Sequence, residues 1–168
     1  MDNFARSGGL NFPYSDQLWH LISIYGDGDG ELLTEENKDV FHNIGCRRFL
    51  SLSFWDITSR EHHPQGILFR KTQAKEVVEM IKAIQEEKED SILIAHCSAG
   101  ISRSGAIGTF ACDYCGLDYQ EFIKENRYIM ANPLVLKLLR EEAGITPSFE
   151  WHDGVDPYEH EDGEIITF

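Results

Sequence analysis

Cysteine is scarce in this chain of 168 residues, and so are basic side chains. The cysteines are Cys46, Cys97, Cys112 and Cys115. They are too few and too scattered for the disulfide framework of a small secreted protein, which is typical of a protein from a reducing compartment. Only 15 lysines and arginines accompany 29 acidic residues, and the net charge is -14. Such a surface repels nucleic acids and anionic membranes, so neither is expected as a partner.

Long apolar runs are also lacking. No stretch approaches the roughly 18 apolar residues of a membrane span, and the segment from Met1 to Phe4 lacks the basic and apolar regions of a signal peptide. No internal repeat or low-complexity tract is visible. With 42% hydrophobic residues, a chain of this length suits one domain with a sizeable core. A single-domain cytoplasmic protein is therefore expected.

The segment from Ile94 to Ser104 carries the most chemistry. In it Cys97 and Arg103 are separated by five residues, between a predicted strand over Ser91–Ala95 and a predicted helix over Ser102–Cys115. The first turn of such a helix leaves backbone N–H groups unpaired, and these groups bind oxyanions. An arginine can hold two phosphoryl oxygens at once, and a positive environment favours a cysteine thiolate. The segment predicts a phosphate cradle with a nucleophilic thiol at its base.

His96, Cys97, Arg103 and Ser104 follow the order His-Cys, five residues, Arg, Ser. In this the chain resembles the cysteine-dependent protein tyrosine phosphatases, whose loop has the same pattern with Ser or Thr at the last position. The same residues could instead serve packing and turn capping. The complete motif between a strand and a helix favours the phosphatase interpretation.

A weaker resemblance to the compact, dual-specificity-like branch of that family covers about Trp19 to Ala143. It includes Asn132-Pro133, which stands before an apolar helix. By analogy, Asn132 would brace the phosphate loop. Residues 1–145 are accordingly predicted to form a phosphatase domain with its core at about 19–143, and residues 146–168 to form an acidic tail or docked extension.

The resemblance implies a role for each residue of the loop. Cys97 would attack phosphorus, Arg103 would hold the phosphoryl oxygens, and Ser104 would assist departure of the thiolate. His96 would shape the loop through a hydrogen bond, with plain packing at the strand end as the alternative. The remaining loop residues would bind phosphate through their amides: Ser98, Ala99, Gly100, Ile101 and Ser102.

The reaction also needs an acid, because expulsion of an alkoxide or phenoxide is slow unless a proton reaches the leaving oxygen. Asp56 stands just past a predicted strand, at the head of the long loop that runs to Thr72. The resemblance places the mobile general acid of the family in such a loop. Glu61, His62 and His63 lie in the same loop and are the alternatives.

The apolar periodicity predicts an α/β fold in one domain, with a central, mostly parallel sheet of about four to five strands flanked by helices. A strand, a crossover helix and a strand in sequence imply a parallel pair, with the phosphate loop at the carboxyl end of its strand. Further strands are predicted over 18–25 and 47–54. Helices are predicted from Thr34 to about Phe41 and over Thr72–Lys88, Asp118–Tyr128 and Asn132–Ala143.

Two metal-site interpretations are weaker. Cys112 and Cys115 form a C-x-x-C that could be half of a zinc site or a redox pair, but both lie in a predicted helix without a partner pair. A disulfide between Cys97 and another cysteine is left open. An acidic turn between Tyr25 and Glu36 partly matches a calcium loop, but Tyr25 supplies no ligand at the first position. No metal or cofactor is expected.

The predicted activity is hydrolysis of phosphotyrosine in a protein or peptide through a phosphocysteine intermediate, with phosphoserine and phosphothreonine left open. The alternatives are a catalytically weak phosphopeptide-binding module and a phosphatase of the same superfamily that acts on a non-protein ester. A sulfurtransferase of the rhodanese type also uses a loop cysteine, but the spacing to Arg103 and Ser104 fits phosphate better. The oligomeric state is not predicted.

Overall fold

A computed structural model describes residues 18–26, 38–43, 45–87 and 90–145. It confirms the predicted α/β class, with a parallel sheet flanked by helices. In chain order the elements are β1 (Leu18–Tyr25), α1 (Lys38–Asn43), β2 (Cys46–Ser53), α2 (Lys71–Glu86), β3 (Ser91–His96), α3 (Arg103–Cys115), α4 (Tyr119–Glu125) and α5 (Pro133–Ala143).

The strands are parallel and lie in the order β2-β1-β3. Ile22 of the central strand pairs with Leu50 on one side and with Ala95 on the other. The described residues contain three strands, fewer than the four to five predicted. The segment 146–168, predicted to be a tail or docked extension, lies outside the described residues.

Both faces of the sheet are covered, which explains why β1 is apolar almost throughout. Ile22 and Ile24 face a core built with α2, α3 and α5, whose centre includes Phe110 and Leu139. Leu21 faces the opposite side with a smaller cluster that contains Trp19, Cys46 and Phe41 of α1. This alternation follows from the two-residue period of a strand.

The helices differ from their predicted bounds mainly at α4, which was predicted over Asp118–Tyr128 and spans Tyr119–Glu125. Asp118 caps it by accepting a hydrogen bond from the amide of Gln120 at 2.8 Å. The helix ends at Asn126, whose φ of −123° and ψ of 54° are not helical and whose backbone amide donates to the carbonyls of Phe122 and Ile123.

Two further predictions fall on residues that the structure does not describe. The helix predicted to start at Thr34 is described only as α1, from Lys38 onward. The acidic turn from Asp27 to Glu36 also lies outside the described residues. In the part of the chain that is described, every helix is too short or too polar to cross a lipid bilayer.

Candidate active site

The loop between β3 and α3 forms the base of the site. Cys97 directly follows β3 and is only 2% exposed. Gly100 has a φ of 71°, in the left-handed region that glycine adopts without steric cost. This turn leads the chain back into α3, which begins at the buried Arg103. The loop thus brings the predicted nucleophile and the predicted phosphate-binding arginine to one edge of the sheet.

The surroundings of Cys97 favour its thiolate. Burial opposes ionisation and is the largest single influence, but hydrogen bonds from the Ser104 hydroxyl and from the amides of Ser104 and Gly100, with the charge of Arg103, outweigh it. The pKa of the Cys97 thiol is therefore lower than that of an ordinary cysteine. The sulfur lies 3.1 Å from the Ser104 hydroxyl oxygen. Backbone amides, a hydroxyl and a guanidinium surround one sulfur, which suits an anion.

The guanidinium of Arg103 lies against the backbone just past the ends of two other strands. Its Nη1 donates to the Phe54 carbonyl at 3.2 Å. A Cβ on Gly26, the residue after β1, would lie 2.7 Å from that nitrogen and 2.8 Å from the Phe54 oxygen. Only glycine leaves room for the arginine there. Sequence reasoning missed Gly26, although a glycine directly after a strand at the ligand-binding edge of the sheet was a usable signal.

Among the candidates for the general acid, Asp56 is the one for which the structure shows a hydrogen bond to the phosphate loop. Its Oδ1 accepts a hydrogen bond from the Ser102 hydroxyl at 2.7 Å. The alternatives Glu61, His62 and His63 are exposed, and the His63 ring packs edge-on against Trp55 instead.

Asn132 connects this acid to the start of α5. Its side-chain nitrogen donates to Asp56 Oδ1 at 2.8 Å, and its backbone nitrogen donates to the Ser102 carbonyl at 3.1 Å. Asn132 is only 3% exposed. It therefore contacts both the phosphate loop and the acid, whereas the sequence suggested only a bracing role by analogy.

The remaining predicted loop residues line the same turn. Ser98, Ala99 and Gly100 are exposed, while Ile101 and Ser102 are half-buried. His96 is the last residue of β3, where it pairs with Ser23 of the central strand and is half-buried. The predicted hydrogen bond of His96 to the loop stays a prediction.

The cysteines outside the loop lie in packed positions. All four cysteines are free thiols. Cys112 is buried within α3 and its sulfur lies 3.5 Å from the Leu117 carbonyl oxygen, while Cys115 is half-buried. Within the described ranges, no group of three or more His, Cys, Asp or Glu side chains is arranged to hold a metal ion.

Comparisons with protein-family models and with curated proteins gave no match. Among solved structures, the chain is similar to one described as "Crystal structure of Tk-PTP in the active form". The two share 19% sequence identity with a TM-score of 0.46, and the match covers 74% of this chain and 78% of the other.

Proposed function

We propose that this protein is a cysteine-dependent phosphatase that hydrolyses phosphotyrosine in proteins or peptides through a phosphocysteine intermediate. The observation that carries the proposal is the environment of Cys97: a buried thiol with a lowered pKa, in a loop whose amides and whose Arg103 favour an anion. A phosphoryl group seated in that loop would meet donors for its oxygens and a nucleophile at its phosphorus.

In the first step the Cys97 thiolate attacks phosphorus, and a P–S bond forms as the bond to the leaving oxygen breaks. The electron pair of the broken bond stays on that oxygen, and Asp56 protonates it. Arg103 and the loop amides from Ser98 to Ser102 hold the three equatorial oxygens. A phosphocysteine and the free hydroxyl product result.

In the second step water attacks the phosphocysteine, and the Asp56 carboxylate takes a proton from that water. The P–S bond breaks and its electron pair returns to the Cys97 sulfur. The Ser104 hydroxyl, 3.1 Å from that sulfur, stabilises the departing thiolate by donating a hydrogen bond. This scheme uses side chains and backbone amides only.

The substrate class follows from the chemistry of the leaving group and from charge. An aryl phosphate such as phosphotyrosine has a better leaving group than the alkyl phosphates phosphoserine and phosphothreonine. The loop residues between Cys97 and Arg103 carry no charge, which does not favour polyanionic esters such as phosphoinositides. We assign the activity to a domain formed by residues 1–145. We also propose that the protein is cytoplasmic, because a nucleophilic thiol needs a reducing environment.

The proposal is tested by hydrolysis of p-nitrophenyl phosphate by the reduced protein in the presence of a metal chelator. We expect turnover by wild type and a loss of roughly 10⁴-fold or more in Cys97→Ser, as for removal of other enzyme nucleophiles. Cys115→Ser is the matched control, since Cys115 is a half-buried thiol on α3, and its turnover should equal wild type.

Phosphopeptides then separate the remaining outcomes. A wild type that binds phosphotyrosine peptides but hydrolyses none would indicate a binding module instead. Equal turnover by wild type and Cys97→Ser would contradict cysteine-based chemistry. Comparison of phosphotyrosine with phosphoserine peptides measures whether the specificity is single or dual.

A further inference from the structure

Asp56 receives two hydrogen bonds on the same carboxylate oxygen. Ser102 Oγ donates to Oδ1 at 2.7 Å, and Asn132 Nδ2 donates to Oδ1 at 2.8 Å. The donors come from different parts of the fold: Ser102 ends the phosphate loop, and Asn132 precedes α5. We call these three residues the acid clamp.

The orientation of Asn132 in the acid clamp is determined by its other contacts. Its Oδ1 accepts hydrogen bonds from the amides of Leu134 at 3.1 Å and Val135 at 3.2 Å, which caps α5. The side-chain NH₂ group is the end left to face Asp56, and a flipped amide would lose both cap bonds. The backbone bond from Asn132 to the Ser102 carbonyl at 3.1 Å holds the two donors of the clamp together.

We infer that Ser102 and Asn132 are positioning residues for the general acid and that they select which oxygen of Asp56 carries the proton. This inference rests on the proposed function. A protonated carboxyl has one O–H donor and one carbonyl oxygen that only accepts. Because both clamp donors occupy Oδ1, that oxygen is the acceptor, and the proton resides on Oδ2.

The clamp then directs one proton through each step of the reaction. Oδ2–H gives its proton to the leaving oxygen as the P–O bond breaks, which leaves a carboxylate whose Oδ1 keeps both donors. In the second step Oδ2 takes a proton from the attacking water. The Ser102 side chain therefore serves the acid, while its backbone amide remains available to the phosphate.

The leaving group separates this role from a merely structural one. Phenyl phosphate needs protonation of its leaving oxygen more than p-nitrophenyl phosphate does, because phenoxide is the more basic anion. Loss of acid positioning should therefore reduce turnover of phenyl phosphate more. A general disturbance of the phosphate loop would reduce turnover of both substrates equally.

The experiment measures kcat/KM, which reports the steps up to release of the leaving group, for both substrates in Ser102→Ala and Asn132→Ser. Serine still caps a helix but is too short to reach Asp56, so the second variant keeps α5 intact. We expect kcat/KM for phenyl phosphate to fall about tenfold more than kcat/KM for p-nitrophenyl phosphate in each variant, as small misplacement of a catalytic group produces losses of this order. Ser59→Ala is the matched control, because Ser59 is exposed on the loop that carries Asp56.

Repeating both variants in an Asp56→Asn background completes the test. If Ser102 and Asn132 act through the acid, their substitution should cause no further change in the ratio of the two kcat/KM values there. Equal losses on both substrates, or a ratio that still changes in that background, would overturn the inference while leaving the phosphatase assignment intact. A wild type that turns over neither substrate would overturn both.

Discussion

Cys97 and Cys46 lie at opposite edges of the same sheet, and each side chain is 2% exposed. Cys97 follows β3 at the carboxyl edge, whereas Cys46 begins β2 at the amino edge. Burial raises the pKa of the Cys46 thiol to about 11, but the pKa of Cys97 is lowered despite burial. Burial of the side chain alone therefore does not activate a thiol. The hydroxyl, amides and guanidinium of the loop do.

The arginines at the two edges also differ in the groups with which they interact. Arg103 is buried at the site, donates to the Phe54 carbonyl, and its charge lowers the pKa of Cys97. Arg48, at the amino edge, has a side chain 42% exposed and pairs with Glu87. Its charge is already compensated within the protein. The arginine at the carboxyl edge therefore acts on the Cys97 thiol, whereas the arginine at the amino edge acts within an ion pair.

The largest effect is expected from replacing these arginines by lysine. Arg103→Lys keeps the charge but loses the planar fork that holds two phosphoryl oxygens, and kcat/KM for p-nitrophenyl phosphate should fall roughly 10²- to 10³-fold. Arg48→Lys should remain close to wild type, because partly exposed ion pairs contribute little. Equal activities in the two variants would remove the proposed distinction between the edges.

A smaller but direct test compares the two thiols. At pH 7 a thiol with a pKa of about 11 is ionised to roughly one part in 10⁴, so Cys97 should react with iodoacetamide at least about 10²-fold faster than Cys46. Peptide mass spectrometry after short labelling measures both rates. Ser104→Ala should move the pH profile of Cys97 labelling upward, because a donor to the thiolate is lost. An unchanged profile would show that Ser104 does not stabilise the thiolate.

The smallest effect concerns stability, at the amino edge. His20 is fully buried, and none of the described residues forms a hydrogen bond with either of its ring nitrogens. Burial, followed by the opposing Glu87 carboxylate and then by Arg48 and Arg47, leaves the pKa of His20 below 6.5. Because the pKa of His20 is lower in the folded chain than in the unfolded chain, its contribution to the free energy of unfolding is fully present above pH 6.5 and is lost as the pH falls.

Urea unfolding measures this loss of unfolding free energy between about pH 7.5 and about pH 5.5, the range in which a histidine titrates in an unfolded chain. The slope contributed by His20 should not exceed about 1.4 kcal/mol per pH unit. His20→Leu should flatten the dependence. If the slope is the same in that variant, another group is responsible.

Much of the fold was predictable from local patterns. The run of mostly apolar residues in β1 and the helical spacing of apolar residues in α2 are local patterns, and both elements were found within a few residues of their predicted bounds. The end of α4 was not predicted, because the helix ends at Asn126 through the backbone conformation of that residue rather than through a proline or glycine. The three strands that were predicted with bounds are all present in the described residues, but their order β2-β1-β3 could not be predicted, since strand pairing is not written in any one segment.

The phosphate loop could be predicted from the sequence alone, because Cys97, Gly100 and Arg103 lie within one short turn between a strand and a helix. Seven residues cannot separate far in space, so their spacing already implies a shared site. The contacts by which Asp56, Gly26 and Asn132 complete the candidate active site depend on the tertiary structure. Asp56 and Asn132 are 76 positions apart, and their contact exists because parallel strands and the start of α5 converge at one edge of the sheet.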